Sequence, residues 1–262
     1  MGAIVEWDTH TGEFLNLLHE TPGYFSHDGS GDYLPYYTWS EDFSRVVTQM
    51  EGEPTTISTV GGQSSLFAPD EVITTLDVAD RISQIVWSPD NTMLAVITYD
   101  EMSEPFAWVY DAKDGHLITQ LKPSFFSSIY DVSWSRDSSM VALVSSRGIG
   151  GSGETEYGLD VLAVNPSSNE APFITSMMDI DTRLYHAWHP ENQAIAVSTS
   201  SGVGIYTLES KVMGDNATPI VVIPDVQVTG LAWSPNGSWL AGSATDGTVR
   251  VWDVSEVLPK TD

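Results

Sequence analysis

Two histidines, His186 and His189, sit three residues apart, with Asp179 and Asp181 upstream. Imidazoles and carboxylates can hold a metal or move a proton, but only when they converge. On a strand, positions three apart face opposite sides, so this pair makes a poor joint ligand set. His186 falls where comparable segments carry Ile85, Val132 and Leu231, and is expected to line a core. Gly148-Ile149-Gly150-Gly151-Ser152-Gly153 has the G-x-G-x-x-G form of a dinucleotide loop. Such a loop must open a helix whose N-terminus holds the pyrophosphate. Here the next segment, Tyr157-Gly158-Leu159-Asp160-Val161-Leu162, reads as a strand, and Glu154 and Glu156 would repel phosphate. A hairpin loop is expected. Asp28-Gly29-Ser30-Gly31-Asp32 places oxygens at alternate positions, as calcium loops do, but lacks their distal Glu, so a solvated turn is expected. There is no Gly-x-Ser-x-Gly elbow and no His-Glu-x-x-His helix. The expectation is therefore no catalytic residue, no metal and no cofactor: a protein that binds and does not catalyse.

Charge narrows the partners. Lys and Arg number 10 against 36 Asp and Glu, a formal net charge of -26. So acidic a surface repels phosphate backbones and anionic lipid, which argues against nucleic acid and against membranes. It favours basic partners at long range, and it also serves solubility alone. The hydrophobic fraction of 41% and the nine Trp suit a buried core and argue against disorder. With no cysteine there is no disulfide and no thiolate chemistry. The N-terminal residues lack the basic and apolar stretches of a signal peptide, and no run approaches a bilayer span. A soluble, cytoplasmic location is expected.

The elements that would carry a binding surface repeat. Five times an apolar run ends in Trp, a short polar turn follows, and a second apolar run begins. The turns are Trp39-Ser40-Glu41-Asp42, Trp87-Ser88-Pro89-Asp90, Trp134-Ser135-Arg136-Asp137, Trp188-His189-Pro190-Glu191 and Trp233-Ser234-Pro235-Asn236. Their tryptophans recur roughly every 45–54 residues. The flanking segments, such as Ile82–Trp87 and Met93–Ile97, are short, apolar and bounded by turn residues, so they read as strands. Third strands follow at Ala107-Trp108-Val109-Tyr110-Asp111 and Thr248–Asp253, and fourth strands at His116–Leu121 and Val72–Leu76. Four short strands per repeat describe a propeller blade.

The last repeat, Trp233-Ser234-Pro235-Asn236-Gly237-Ser238-Trp239-Leu240-Ala241-Gly242-Ser243-Ala244-Thr245-Asp246-Gly247-Thr248-Val249-Arg250-Val251-Trp252-Asp253, resembles the Trp-Asp (WD) repeat family. The resemblance covers nearly the whole chain and weakens toward the N-terminus. It implies an all-β fold: a β-propeller of four-stranded antiparallel blades, about five of them plus an N-terminal half-blade. In such blades a His, a Ser or Thr, an Asp and the Trp form a structural hydrogen-bond network. Ser243, Asp246 and Trp252 match the last three, while the Gly-His pair is replaced by Pro224-Asp225-Val226-Gln227. One domain over 1–262 is expected: a partial blade at 1–20, blades at 33–78, 81–122, 128–175 and 182–223, and a blade at 227–262 lacking its fourth strand. Either the N-terminal strands complete that last blade or the chain is part of a larger propeller, and the second is expected here, since propellers run to eight blades.

In this family the loops entering the first strand and those joining the second to the third share one face. That places Tyr33, Arg81, Ser83, Tyr130, Leu184 and Gln227 together as candidate partner-binding residues. The acids Asp100, Glu101 and Glu104, with Glu154 and Glu156, lie in what read as long second-to-third-strand loops. Loops on a rigid scaffold often carry function, and they also tolerate neutral insertion. The function expected is a protein-interaction scaffold for another protein or peptide of basic character. The alternative is the propeller portion of a hydrolase or peptidase acting on a peptide or sugar, which a carboxyl of raised pKa in a cleft would reveal.

Overall fold

A computed structural model describes residues 2–7, 14–21, 36–49, 53–60, 69–78, 81–121, 128–150, 153–164, 173–180, 184–208 and 218–258. Strands β1 (Gly2–Trp7) and β2 (Phe14–Thr21) form an antiparallel pair. Four sheets of four strands follow. The first is β3 (Tyr36–Trp39), β4 (Arg45–Gln49), β5 (Thr55–Val60) and β6 (Pro69–Leu76). The second is β7 (Arg81–Trp87), β8 (Met93–Tyr99), β9 (Pro105–Asp111) and β10 (Leu117–Leu121). The third is β11 (Ser128–Trp134), β12 (Met140–Gly148), β13 (Thr155–Ala163) and β14 (Phe173–Ile180). The fourth is β15 (His186–Trp188), β16 (Ala194–Thr199), β17 (Gly202–Thr207) and β18 (Val221–Pro224). A three-stranded sheet closes the series: β19 (Val228–Trp233), β20 (Trp239–Ala244) and β21 (Val249–Asp253).

Consecutive strands are hydrogen-bonded neighbours in every sheet, so the chain meanders and never crosses over. Strands β2, β14 and β18 run past the blade limits expected at residues 20, 175 and 223. The third sheet extends past 175, because the nine-residue β13 offers pairing as far as Glu156↔Ile180. Two compact units divide the chain: Met1–Val96 with Val109–Ile118, and Ile97–Trp108 with Thr119–Asp262.

The recurring Trp turn has one construction. The residue after Trp donates its N–H across the turn, as in Ser88 to Met93 O and Ser135 to Met140 O, both at 2.9 Å. Its hydroxyl donates to the acid two residues on: Ser40 to Asp42 at 2.6 Å, Ser88 to Asp90 and Ser135 to Asp137 at 2.7 Å. Four residues after each Trp the backbone is left-handed, at Phe43 (φ 55°), Asn91 (60°), Ser138 (61°), Asn192 (56°) and Gly237 (70°). Gly and Asn suit that conformation, whereas Phe43 is strained in it.

The tryptophans themselves join successive sheets. The Trp87 indole N–H donates to Thr38 O at 3.1 Å, and that of Trp233 to Ala187 O at 3.0 Å. In both cases the acceptor directly precedes the Trp of the sheet before. Trp87 and Trp134 are buried; Trp39, Trp188 and Trp233 are half-buried, and none is exposed. Arg45 adds a second tie in the first unit. Its guanidinium stacks 5.0 Å from the Trp87 ring and donates to Asn91 O.

Cores form between facing sheets. Ala142, Val144, Leu159 and Val161 pack with Leu184, Ile195, Val197 and Tyr206. Ala194, Ala196, Val203 and Ile205 pack with Val226, Val228, Leu240 and Val254. The fourth sheet thus turns one row of apolar residues toward its predecessor and the alternate row toward its successor. On β20 and β21 the first row, with Leu240 at 0%, is buried. The alternate row is open, with Trp239 at 46%, Val251 at 59% and Val249 at 73% exposure.

One turn departs from the pattern. His189 stands where the others have Ser, and it is buried, with its ring 4.8 Å from Trp233 at an interplanar angle of 82°. Any side chain on Gly237 would overlap the His189 imidazole. In other turns an Asn at the Gly237 position reaches the preceding sheet: Asn91 Oδ1 accepts from Glu41 N at 2.8 Å, and Asn192 Oδ1 from Arg136 N at 2.9 Å. His189 fills the space that side chain would cross. Gly237→Asn should therefore cost about 1–3 kcal/mol, the range for an overpacked site. Adding His189→Ser should recover most of that loss in urea unfolding. Equal cost in both backgrounds would show the two positions to be independent.

Candidate functional site

The candidate surface lies in the second unit and is built by a bulge. In β11, Ile129 pairs with Ser145 and Asp131 with Val144, so Tyr130 is the extra residue. A bulge re-aims its side chain. Tyr130 points outward, 44% exposed, and its ring leans on Tyr157 with centroids 5.9 Å apart at 43°. Directly behind it, the Tyr99 hydroxyl donates to Ile129 O and accepts from Ile129 N, each at 3.1 Å. Tyr99 ends β8, so these bonds fasten the root of the β8–β9 turn to β11.

The segments that read as long loops are more ordered than expected. Asp100–Glu104 is a tight turn. Asp100 Oδ1 accepts from Met102 N at 2.9 Å and Glu104 N at 2.8 Å, and Ser103 N donates to Asp100 O at 3.0 Å. Asp100 is thus a turn cap first. Glu101 and Glu104 are exposed on either side of Met102, itself 81% exposed. The segment from Ser145 to Glu156 is mostly strand. β12 and β13 stay paired out to Gly148↔Thr155, so the Gly-rich motif tips a β-hairpin and opens no helix. Arg147 Nε donates to Glu156 Oε2 at 2.6 Å, leaving Glu156 largely neutralised, while Glu154 is exposed.

The other sequence-derived residues fall elsewhere. Leu184 is a correction: at 2% exposure it packs in the core between the third and fourth sheets and has no surface for a partner. Sequence placed it at a strand entry but could not show which way it faces. Gln227 is exposed, and its carbonyl accepts Thr245 N at 2.9 Å. Arg81 and Ser83 are exposed on β7 in the first unit. Tyr33 and the Asp28–Asp32 segment lie outside the described residues.

Ser243, Asp246 and Trp252 do not join in one network. Ser243 Oγ meets Thr229 Oγ1 at 3.1 Å. Asp246 accepts from Thr248 N and Oγ1 and from Arg250, and these bonds, the Thr248 hydroxyl first, hold its carboxyl down at about 2. Trp252 packs against Gly242. The hydroxyl-to-indole bond occurs instead in the second sheet, where Trp108 Nε1 donates to Thr98 Oγ1 at 2.9 Å.

Two groupings were not foreseen. Asp111, Asp114 and His116 bring their ligand atoms within 4.8 Å of one another at the exposed β9–β10 turn. All three already serve the turn. Asp111 Oδ1 accepts from Lys113 N, and Asp114 Oδ1 meets His116 Nδ1 at 2.5 Å. That contact raises the imidazole and lowers the carboxyl from their ordinary values. The second grouping is Ser133 with His186 and Trp188, considered below.

Comparison with known proteins agrees with this architecture. The model of the WD domain, G-beta repeat family matches residues 220–253, which span β18 to β21. The small ribosomal subunit protein RACK1y of Oryza sativa subsp. japonica is 39% identical over 69 residues, covering 25% of this chain and 20% of that protein. RACK1 of Candida albicans is 32% identical over 72 residues, covering 26% and 23%. The matched region is thus about a fifth of the length of these relatives. The β-propeller domain of Cps50 (Swd1) from Myceliophteria thermophila superposes with a TM-score of 0.51 at 13% identity, over 97% of this chain and 91% of that one. The fold is an all-β propeller. Within it, residues 220–253 match a WD repeat.

The surface geometry separates two roles for tyrosine. Tyr130→Ala should leave stability within about 0.5 kcal/mol, as for exposed positions. Tyr99→Phe removes two backbone bonds and should cost about 1–3 kcal/mol. Chemical denaturation of both variants checks the contrast; a Tyr130 variant as destabilised as the Tyr99 one would assign Tyr130 to the framework.

Proposed function

We propose that the chain is a non-catalytic scaffold that binds a basic protein or peptide at the Tyr130–Tyr157 surface. The observation that carries this is the bulge at Tyr130. It spends a residue on presenting an aromatic ring to solvent, with Glu101, Glu104 and Glu154 exposed on the turn and hairpin of the same unit. Tyrosine concentrates binding energy because it buries much area with little loss of rotamer freedom. Carboxylates at the rim draw a cationic partner and set its encounter rate. The relatives support a binding role: one is named as a component of the small ribosomal subunit.

The test uses a partner captured by the wild-type chain and then measured by binding kinetics. Tyr130→Ala should raise the dissociation rate about tenfold or more. Neutralising Glu101, Glu104 and Glu154 to Gln should instead slow association and flatten its dependence on salt. Equal binding by both variants would remove this surface as the interface. A partner that bound better after neutralisation would overturn its basic character.

A further inference from the structure

His186 has no place in the binding surface, yet it sits in a polar contact between the third and fourth sheets. Its Nε2 lies 2.5 Å from Ser133 Oγ, and the Trp188 indole N–H donates to the same oxygen at 2.9 Å. In the equivalent contact of Trp233 the indole reaches a backbone carbonyl directly. Here a side-chain hydroxyl intervenes, and the imidazole completes its bonding. The other ring nitrogen, Nδ1, is buried and has no hydrogen-bond partner.

This arrangement accepts only neutral imidazole comfortably. In the neutral ring one nitrogen carries a proton and the other accepts. The cation carries a proton on both, so Nδ1 becomes a buried, charged donor without an acceptor. Such a group carries the full cost of its lost hydration. Charged neighbours are few. On β11 the one charged side chain is Asp131, whose carboxylate favours the cation. β16 and β19, which also pack on β15, carry no charged residue, and Arg147 at the far end of β12 is committed to Glu156.

We propose that Ser133, His186 and Trp188 form an acid-opened latch between the third and fourth sheets. Above the ordinary imidazole range the ring is neutral, Ser133 bridges the two aromatic side chains, and the seam is closed. Acidification protonates His186, the bridge cannot carry a second ring proton, and β15 separates locally from β11.

The sign follows from linkage. Burial holds the imidazole below its ordinary 6.5 while Asp131 opposes the shift. The open form therefore binds a proton more readily than the closed one. Latch stability is complete above about pH 6.5 and declines as pH falls through that value, by at most tenfold in the opening equilibrium per pH unit.

Hydrogen exchange of the Trp188 indole N–H reads the latch directly. After correction for intrinsic exchange, its protection should fall about tenfold between pH 7 and pH 5. In His186→Gln, whose amide can donate to Ser133 Oγ or accept from it but cannot titrate, protection should stay flat. In His189→Ser, which removes the other buried imidazole of this unit, the fall should persist. A flat wild-type profile, or the same fall in His186→Gln, would overturn the proposal. Should His186→Gln fold poorly, the wild-type His186 ring proton signals decide. Their titration must coincide with loss of Trp188 protection, and titration at a different pH would equally overturn it.

Discussion

The structure depends on the tryptophan that ends the first strand of a repeat and, at Trp87, Trp188 and Trp233, reaches back to the sheet before. Its indole N–H meets the carbonyl preceding the previous Trp, at Thr38 for Trp87 and at Ala187 for Trp233. That bond contributes on the order of 1 kcal/mol net. The ring, burying some 150–250 Å², contributes several times more at about 25 cal/mol per Å². Packing therefore supplies the energy and the hydrogen bond supplies the register. An apolar side chain of equal size would fill the space without fixing how far one sheet slides along the next. Trp alone among the large side chains combines that area with a single directional donor. The Ser-to-acid turn completes the device in the first three sheets, because it holds the Trp at the same offset from the second strand.

Much of this was legible in the sequence. Trp, Ser and Asp recur at fixed offsets, so the five turns, the strand order and the all-β fold follow from spacing. What spacing could not reveal was direction and compensation. Leu184 and Tyr130 both mark a first strand, yet one is core and the other surface. A bulge decides that for Tyr130, and bulges leave no mark in an apolar pattern. The replacement of Ser by His189 and of Asn by Gly237 look like two unrelated lapses. They become one event only when the fourth and fifth sheets are laid side by side. Asp100–Glu104, which Pro105 follows, and Ser145–Glu156, which is rich in Gly, looked like loops because of that composition. Strand pairing overrode that composition: backbone bonds extended the β12–β13 ladder through polar residues to Gly148 and Thr155.

The same geometry shows why functional reading is harder than fold reading in such a chain. The energy lies in backbone bonds and in apolar rows between sheets, so exposed positions are free to vary. A residue with a role in binding then resembles one with no role at all. The signal is a local departure that the scaffold does not require. Tyr130 is such a departure in its side chain: the same bulge recurs at Thr229 in β19, where the extra residue is small and polar. His186 is another, because a carbonyl serves as well at the equivalent contact of Trp233. Trp239, Val249 and Val251 differ in kind: they hold the place that Ala194, Val203 and Ile205 hold one sheet earlier, and so express the repeat itself.

The acidity divides along the same line. Part of the net charge of -26 is wired into turns and serves folding. The Ser40 hydroxyl on Asp42, the Thr248 hydroxyl on Asp246 and the Ser255 hydroxyl on Asp253 all hold those carboxyls below their ordinary range. For Asp137 burial opposes the shift, and the Ser135 and Ser139 hydroxyls outweigh it. These aspartates must be ionised to accept two or three bonds each, so the turn chemistry itself selects for negative charge. A chain built from many such turns becomes acidic before any partner is considered. Under the proposed function, only the acids left over, with no turn to close, bear on binding. Glu101 and Glu104 qualify by position: neither is the acid at the third place of a Trp turn. Asp100 and Glu156 look identical to them in sequence and are distinguished only by what their oxygens already hold.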